Sequence, residues 1–263
     1  MTMEPVDCGK SGHDWAPIGV YVDGKLTIPC RRKDCDCALE QLWQERRGVG
    51  TTIDGMTLDI EDDPLGGVAK VVCLEASGQY GDLGLKPGDV VLDIGAHVGI
   101  VSIYLAIRYP GIRIYAYEPV QENYRRLLRN IEANGATGIT TIRKPVTGDG
   151  RTVEVSHALN VNSGGNSIYQ AGPGSQILGS TTMAKIFEEH KIDRCALLKI
   201  DCEGAEYEIL DAGESLLSRV DNLRGEFHTS DFTRQMGWSR DKLLALCQKH
   251  IPASRVRVSF QGG

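Results

Sequence analysis

Residues Asp89 to Ala106 read DVVLDIGAHVGIVSIYLA, and this stretch decides the fold. Val90, Val91, Leu92 and Ile94 form a short apolar run of the kind expected for a strand buried on both faces. Asp93, Gly95 and Gly99 punctuate its end, and beyond them Val101, Ile103, Leu105 and Ala106 continue without Pro or Gly, as a buried helix would. The segment therefore reads as strand, tight loop, helix. Such a junction aims backbone N–H groups and the positive end of a helix at whatever lies above the carboxyl end of the strand.

The ligand is read from what the loop lacks. A dinucleotide fingerprint G-x-G-x-x-G needs its second glycine for close approach of a pyrophosphate and its third for helix packing. Here Gly95-Ala96-His97-Val98-Gly99-Ile100 puts His97 at the second glycine and has no third. Asp93 precedes the first glycine and is expected to face the cationic end of a ligand. About twenty residues on, Ile112, Ile114 and Ala116 mark a second strand ending in Tyr117-Glu118-Pro119. A carboxylate there can accept both hydroxyls of an adenosine ribose, each charge-assisted bond being worth roughly 1.5–3 kcal/mol. A sulfonium, a diol and no phosphate describe S-adenosylmethionine. His97 could touch the methionine carboxylate or the acceptor, or simply cap the following helix.

The chain has 263 residues, enough for one α/β core and a small appendage. Its net charge of −6 provides no global attraction to nucleic acid or anionic membranes. No apolar run approaches the roughly 18 residues of a membrane span and no signal-peptide pattern opens the chain, so it reads as soluble and cytoplasmic. Eight cysteines in a reducing compartment point to metal ligation or burial rather than disulfides. Cys8, Cys30, Cys35 and Cys37 lie with His13 in the first forty residues. Residues 1–47 are thus a candidate zinc module, with a chain of free surface thiols as the alternative, and residues 48–263 are the main domain. Arg31-Arg32-Lys33 could contact a phosphate or carboxylate, or be a solvated face. Cys73, Cys195, Cys202 and Cys247 sit among apolar residues and read as small buried hydrophobes.

From residue 50 onward strand and helix patterns alternate. Strands are expected over Thr51–Ile60, Val68–Leu74, Ile139–Ile142, Val153–Ser156, Ala196–Ile200, Leu223–Phe227 and Arg255–Phe260. Helices are expected over Gln121–Asn134, with Leu127, Leu128 and Ile131 on one face, and over Thr181–His190, Ala205–Leu217 and Ser239–His250. Asn160–Gly179 is too rich in Gly, Asn and Ser for regular structure and reads as a lid, a binding loop or a disordered stretch. The alternation implies a doubly wound, mostly parallel sheet.

Ligands of such sheets lie above the carboxyl ends of the strands. One strand ends in Lys199-Ile200-Asp201-Cys202-Glu203-Gly204-Ala205-Glu206, and another carries Glu226 and His228. A group transfer to a hydroxyl needs alignment, exclusion of water and removal of a proton. Asp201, His228 or Glu226 could be the base, His228 with the least tuning. Lys199 could join them or simply pair with a carboxylate, and Glu206 could touch the acceptor or only favour its helix N-terminus. A divalent metal on Asp201, Glu203, Glu226 and His228 is a chemically reasonable alternative. Tyr80 could line the site or be an ordinary packed tyrosine.

The blocks VVLDIGAHVGIVSIYLA, AYEPVQENYRRLLRNIEANG, LLKIDCEGAEYEIL and EFH, in that order, resemble the FkbM-type S-adenosylmethionine-dependent methyltransferases over roughly residues 50–260. The resemblance implies a Rossmann-like class I methyltransferase that acts on hydroxyls of polyketides, sugars and other natural products, with some members implicated in N-methylation of peptides. It implies Asp93, Gly95, Glu118 and Asn123 at the donor, and Asp201, Glu203, Glu206, Glu226 and His228 near the acceptor. His97 stands where such proteins usually carry a smaller polar residue, and the Cys-rich segment is no part of the family core. The expectation is O-methylation of a small natural product or sugar. The alternatives are a nucleic acid or peptide acceptor recruited by residues 1–47, and a non-catalytic donor-binding protein.

Overall fold

The computed structural model describes residues 20–22, 25–29, 38–42, 49–53, 55–62, 79–155, 175–229 and 231–261. The proposed zinc ligands Cys8, His13, Cys30, Cys35 and Cys37, the strand expected at Val68–Leu74, and most of the expected loop Asn160–Gly179 lie outside the described residues.

Three short strands, β1 (Val20–Val22), β2 (Lys25–Pro29) and β3 (Ala38–Leu42), form an antiparallel sheet of their own. The strand expected at Thr51–Ile60 is instead a hairpin of β4 (Val49–Ile53) and β5 (Met56–Ile60). Gly55, at φ +79°, takes the left-handed conformation that the reversal needs.

The main sheet contains β6 (Val90–Ile94), β7 (Arg113–Tyr117), β8 (Ile139–Ile142), β11 (Leu197–Ile200), β12 (Leu223–His228) and β13 (Val256–Gln261). Its order is β13-β12-β11-β6-β7-β8, with every neighbouring pair parallel. The chain thus leaves β6 in one direction and returns past it to β11, so a topological switch point lies between these two strands. A separate antiparallel pair, β9 (Thr152–Val155) with β10 (Gln176–Gly179), recovers four residues that composition assigns to an irregular loop.

Side-chain alternation divides the core into two layers. Val90, Leu92 and Ile94 of β6, with Leu198 and Ile200 of β11, pack against α3 (Met183–Glu189), α4 (Glu206–Ala212) and α6 (Arg240–His250). Val91 and Leu197 face the other way, onto α1 (Ile100–Arg108) and the β4–β5 hairpin. This two-sided burial is why β6 is an unbroken apolar run apart from Asp93. The helix expected at Ala205–Leu217 ends at Gly213, followed by a 3₁₀ segment over Glu214–Arg219. A short helix α5 (Asp231–Gln235) precedes α6. Among the described residues no helix is long and apolar enough to cross a membrane.

Helix α2 (Gln121–Ala133) departs from the expected apolar face. Its buried residues are Asn123, Arg126, Leu127 and Asn130, whereas Leu128 is 44% exposed. The polar stripe has work to do at the hairpin edge. Asn130 accepts from the N–H of Glu61 (2.7 Å) and donates to the carbonyls of Glu61 and Val98. Asn134 exchanges a similar pair of bonds with Asp59. Two side-chain amides thereby substitute for a strand partner along β5.

Parallel strands β11 and β12 approach so closely at Gly225 that a Cβ there would lie 1.8 Å from the carbonyl oxygen of Ile200. Gly225→Ala is expected to destabilise the protein by about 3 kcal/mol, since backbone cannot yield as a side chain does. Urea unfolding would show this as a lowered midpoint with an unchanged slope.

Candidate functional site

The strand ends on either side of the switch point are locked together by one contact. A Cβ on Gly95, which follows β6 at φ +81°, would fall 1.8 Å from the backbone oxygen of Asp201, which follows β11. Gly95 is therefore demanded by the neighbouring strand and not by a bound phosphate. Gly99, at φ +92°, leaves room for Leu127, which would lie 2.3 Å from its Cβ.

The loop N–H groups point elsewhere than a pyrophosphate cradle would require. Those of Gly95 and Ala96 both donate to the carbonyl of Tyr117 at 2.9 Å, and that of His97 donates to Glu118 Oε2 at 2.9 Å. The other carboxylate oxygen of Glu118 accepts from the N–H of Val120, and Asn123 adds a side-chain hydrogen bond. Glu118 is only 4% exposed. Burial pushes its carboxyl up to about 7, against the pull of these hydrogen bonds. Pro119 is half-buried beside it, and His97 holds a left-handed backbone at φ 52°. Gly99, rather than His97, caps α1, and it does so without a side-chain bond.

Asp93 meets its partners within the protein. It is fully buried, accepts a hydrogen bond from Ser102 of α1 (2.6 Å), and lies 3.2 Å from the Lys199 ammonium. The two residues are register partners on β6 and β11, so the pairing is a direct cross-strand one. Lys199 also donates to the carbonyl of Gly95. Its ammonium is held protonated because Asp93 and Asp201 outweigh the effect of burial. The sequence reads Asp93 as meeting the cationic end of a ligand; within the protein its charge is matched by Lys199. Tyr80 likewise packs in the core with Val91, Ile103 and Leu197, and is 5% exposed. Burial raises its phenol, with Lys199, Asp201 and Asp93 as charged neighbours.

The second cluster lies across the ends of β11 and β12. His228 Nδ1 is 3.1 Å from Glu206 Oε1, and its Nε2 is 3.7 Å from both Glu203 and Glu226. Glu206 is fully buried, with its two oxygens accepting the N–H groups of Cys202 (2.8 Å) and Gly204 (2.9 Å). Those bonds hold a turn in which Glu203 adopts φ 55°, a costly conformation for a non-glycine residue. Burial raises Asp201 to about 6 and Glu203 to about 7. Burial opposes the His228 imidazolium, but Glu206, Glu203 and Asp201 outweigh it and push the ring up to about 9. Asp201, Glu203 and His228 each bring one ligand atom within 4.8 Å of the others, which is the set that could hold a metal ion.

The expected site residues thus divide into a group around the β6–α1 loop, Gly95, Ala96, His97, Gly99, Glu118, Pro119 and Asn123, and a group across the ends of β11 and β12, Asp201, Glu203, Glu206, Glu226 and His228. Asp93 and Lys199 lie beneath and tie the two. Cys195 and Cys247 are fully buried, whereas Cys202 is half-buried in the turn after β11. The role of Ser102 is not legible in the sequence, because an isolated serine among apolar helix residues carries no distinguishing signal.

Removing one partner of a buried pair strands the other charge. Lys199→Met is expected to cost about 3–5 kcal/mol in urea unfolding. The double variant Asp93→Leu/Lys199→Met is expected to recover more than half of that loss.

Comparison with known proteins places the chain in a family. The model of the methyltransferase FkbM domain matches residues 93–244, which run from Asp93 into α6. The chain is similar to methyltransferase sdnD of Sordaria araneosa, 23% identical over 162 residues that cover 50% of this chain and 62% of that protein. It is 33% identical over 54 residues to the 31-O-demethyl-FK506 methyltransferase FkbM of Streptomyces tacrolimicus, covering 20% of this chain and 21% of the relative. A solved precorrin-6y C5,15-methyltransferase from Geobacter metallireducens GS-15 aligns with a TM-score of 0.36 at 17% identity, over 62% of this chain and 64% of that one. The chain therefore spans less than two thirds of the length of these relatives. With a family match over more than half of its residues, it belongs to the FkbM methyltransferase domain family.

Proposed function

We propose that the protein transfers a methyl group from S-adenosylmethionine to a hydroxyl of a small molecule, at the carboxyl edge of β6, β7, β11 and β12. One observation carries the reading. The N–H groups of Gly95, Ala96 and His97 are engaged by Tyr117 and Glu118, so the loop presents a buried carboxylate where a pyrophosphate site would present donors. A ligand with a diol and no phosphate suits that arrangement. Glu118, positioned by Asn123 and His97, would accept the ribose hydroxyls. Gly95, Ala96, Gly99, Pro119 and Asp201 would border the rest of the donor.

When bound, the donor supplies a methyl carbon on a sulfonium, and as the acceptor oxygen bonds to that carbon the carbon–sulfur bond breaks with its electron pair passing to sulfur. The protein's task is to align the two groups and remove the hydroxyl proton. His228 Nε2, the nitrogen not engaged with Glu206, would take it with the ring in its neutral form, and because the surrounding carboxylates push that ring up to about 9, turnover is expected to rise with pH toward that value. Glu203 and Glu226, each 3.7 Å away, would offset the resulting imidazolium charge. Lys199, committed to Asp93 and protonated, serves as a positioning group. The name of one relative, a 31-O-demethyl-FK506 methyltransferase, supports an oxygen acceptor. Residues 1–47 would form a separate segment, and β1–β3 pair only among themselves, in keeping with a boundary before residue 48.

Incubating the full chain with S-adenosylmethionine and panels of hydroxylated small molecules, peptides and RNA, then weighing the products, tests the class of acceptor. Methylation of an alcohol oxygen supports the proposal, and methylation confined to peptide or RNA overturns it. His228→Gln is expected to lower kcat by about 10²–10⁴-fold, while donor affinity measured by calorimetry stays within about twofold.

Glu118 gives the donor side its own test. Its carboxyl sits near 7 in the free protein, and donated hydroxyls favour the ionised form, so binding should release about half a proton at pH 7. Affinity should accordingly rise as pH increases from about 6 to 8. Titration calorimetry of S-adenosylhomocysteine in buffers of different ionisation enthalpy would detect that proton. Glu118→Gln should abolish the release and weaken binding by about 10- to 100-fold.

A further inference from the structure

We infer that Glu206 is a positioning residue for His228, fixing the proton on Nδ1 so that Nε2 is the nitrogen offered to the acceptor. The inference rests on the methyl-transfer reading for its purpose, but its geometry stands apart from it. Glu206 is the first residue of α4 and is fully buried. Its carboxylate is held from three directions, by the N–H groups of Cys202 and Gly204 and by the His228 ring. Both Glu206 oxygens already act as acceptors for backbone N–H groups, which assigns the imidazole nitrogen 3.1 Å from Oε1 as a further donor. In the neutral ring the other nitrogen is then the acceptor.

The surroundings of Nε2 are consistent with a reactive role. Glu203 and Glu226 lie 3.7 Å away, beyond hydrogen-bond reach, and the His228 side chain is 17% exposed. Nδ1 is anchored against the fully buried Glu206, which leaves Nε2 as the nitrogen outside that contact. The ring backbone is fixed as well, because His228 pairs with Gln261 at the end of β12 and β13. Glu206 thereby has two tasks. It holds the turn that carries Asp201 and Glu203, and it orients the ring on the adjacent strand. A residue that only capped the turn would be indifferent to the imidazole tautomer.

The tautomer can be read directly in the wild-type protein. With histidine labelled in nitrogen-15, and His228 assigned by its loss in His228→Gln, long-range proton–nitrogen spectra are recorded at rising pH until the ring is neutral. The expected result is a neutral His228 protonated at Nδ1, the opposite of the tautomer that free imidazole side chains favour in water. A His228 protonated at Nε2, or an averaged mixture, overturns the inference. Glu206→Gln supplies a second readout: its amide can donate as well as accept, so it no longer dictates the Nδ1 proton. The Nδ1 signature should disappear, and kcat should fall about 10²-fold or more with acceptor KM within about twofold. A variant with lowered thermal stability but unchanged tautomer and kcat overturns the positioning role. Should that variant fail to fold, the wild-type spectrum decides alone. Failure to bind S-adenosylmethionine would instead overturn the methyl-transfer reading and leave the tautomer result standing.

Discussion

The buried pair between Asp93 and Lys199 is the constraint on which the site depends. Opposite charges taken out of water are tolerated only with close geometry and further hydrogen bonds, and here Ser102 and the Gly95 carbonyl supply them. The pair bridges β6 and β11 at the point where the sheet reverses its winding order. One strand leads into the β6–α1 loop and the other into the acidic turn. The position of one relative to the other is consequently set by this buried cross-strand pair. The contact of Gly95 with the Asp201 carbonyl repeats the same constraint at the level of the backbone.

Above this base the two halves of the site use different electrostatics. At the β6–α1 loop a single carboxylate, Glu118, is desolvated yet held by two backbone N–H groups, and in the proposed function its charge would become tolerable when a hydrogen-bonding ligand arrives. Across the ends of β11 and β12, Asp201, Glu203, Glu206 and Glu226 crowd around one imidazole. Like charges raise one another's proton affinity and stabilise a cation among them. The ring is the natural place for a proton to rest, and the turn that brings Glu203 there does so in a strained backbone conformation. Strain of this kind persists only where its surroundings dictate it, here through the bonds from Glu206.

Much of this is legible in local sequence, for reasons that also explain what is not. Burial on both faces leaves a strand with almost no polar residue, so β6 and β11 declare themselves, and residues at their carboxyl ends become candidates without further information. Long-range pairing leaves no such trace. Asp93 and Lys199 are separated by more than a hundred residues, and an aspartate before a glycine loop looks the same whether its partner is a ligand or a lysine. The buried face of α2 escapes prediction because Asn130 and Asn134 replace a strand partner, a use that hydrophobic periodicity counts as surface. Glycine-rich composition likewise hides β10, whose pairing with β9 is decided by a strand more than twenty residues earlier.

The engagement of the loop N–H groups with the end of β7 has a consequence for competition among ligands. Adenine nucleotides share their base and ribose with S-adenosylmethionine and differ in the group carried on the 5′ carbon of the sugar. A site that relied on bulk alone to exclude them would have to close around the ribose. Here a polyphosphate entering along β6 would find the backbone donors of Gly95, Ala96 and His97 already occupied and the Glu118 carboxylate nearby. It would lose hydration without compensation and meet a like charge. On the proposed methyl-donor reading, discrimination against nucleotides would rest chiefly on main-chain hydrogen bonds that also hold the fold.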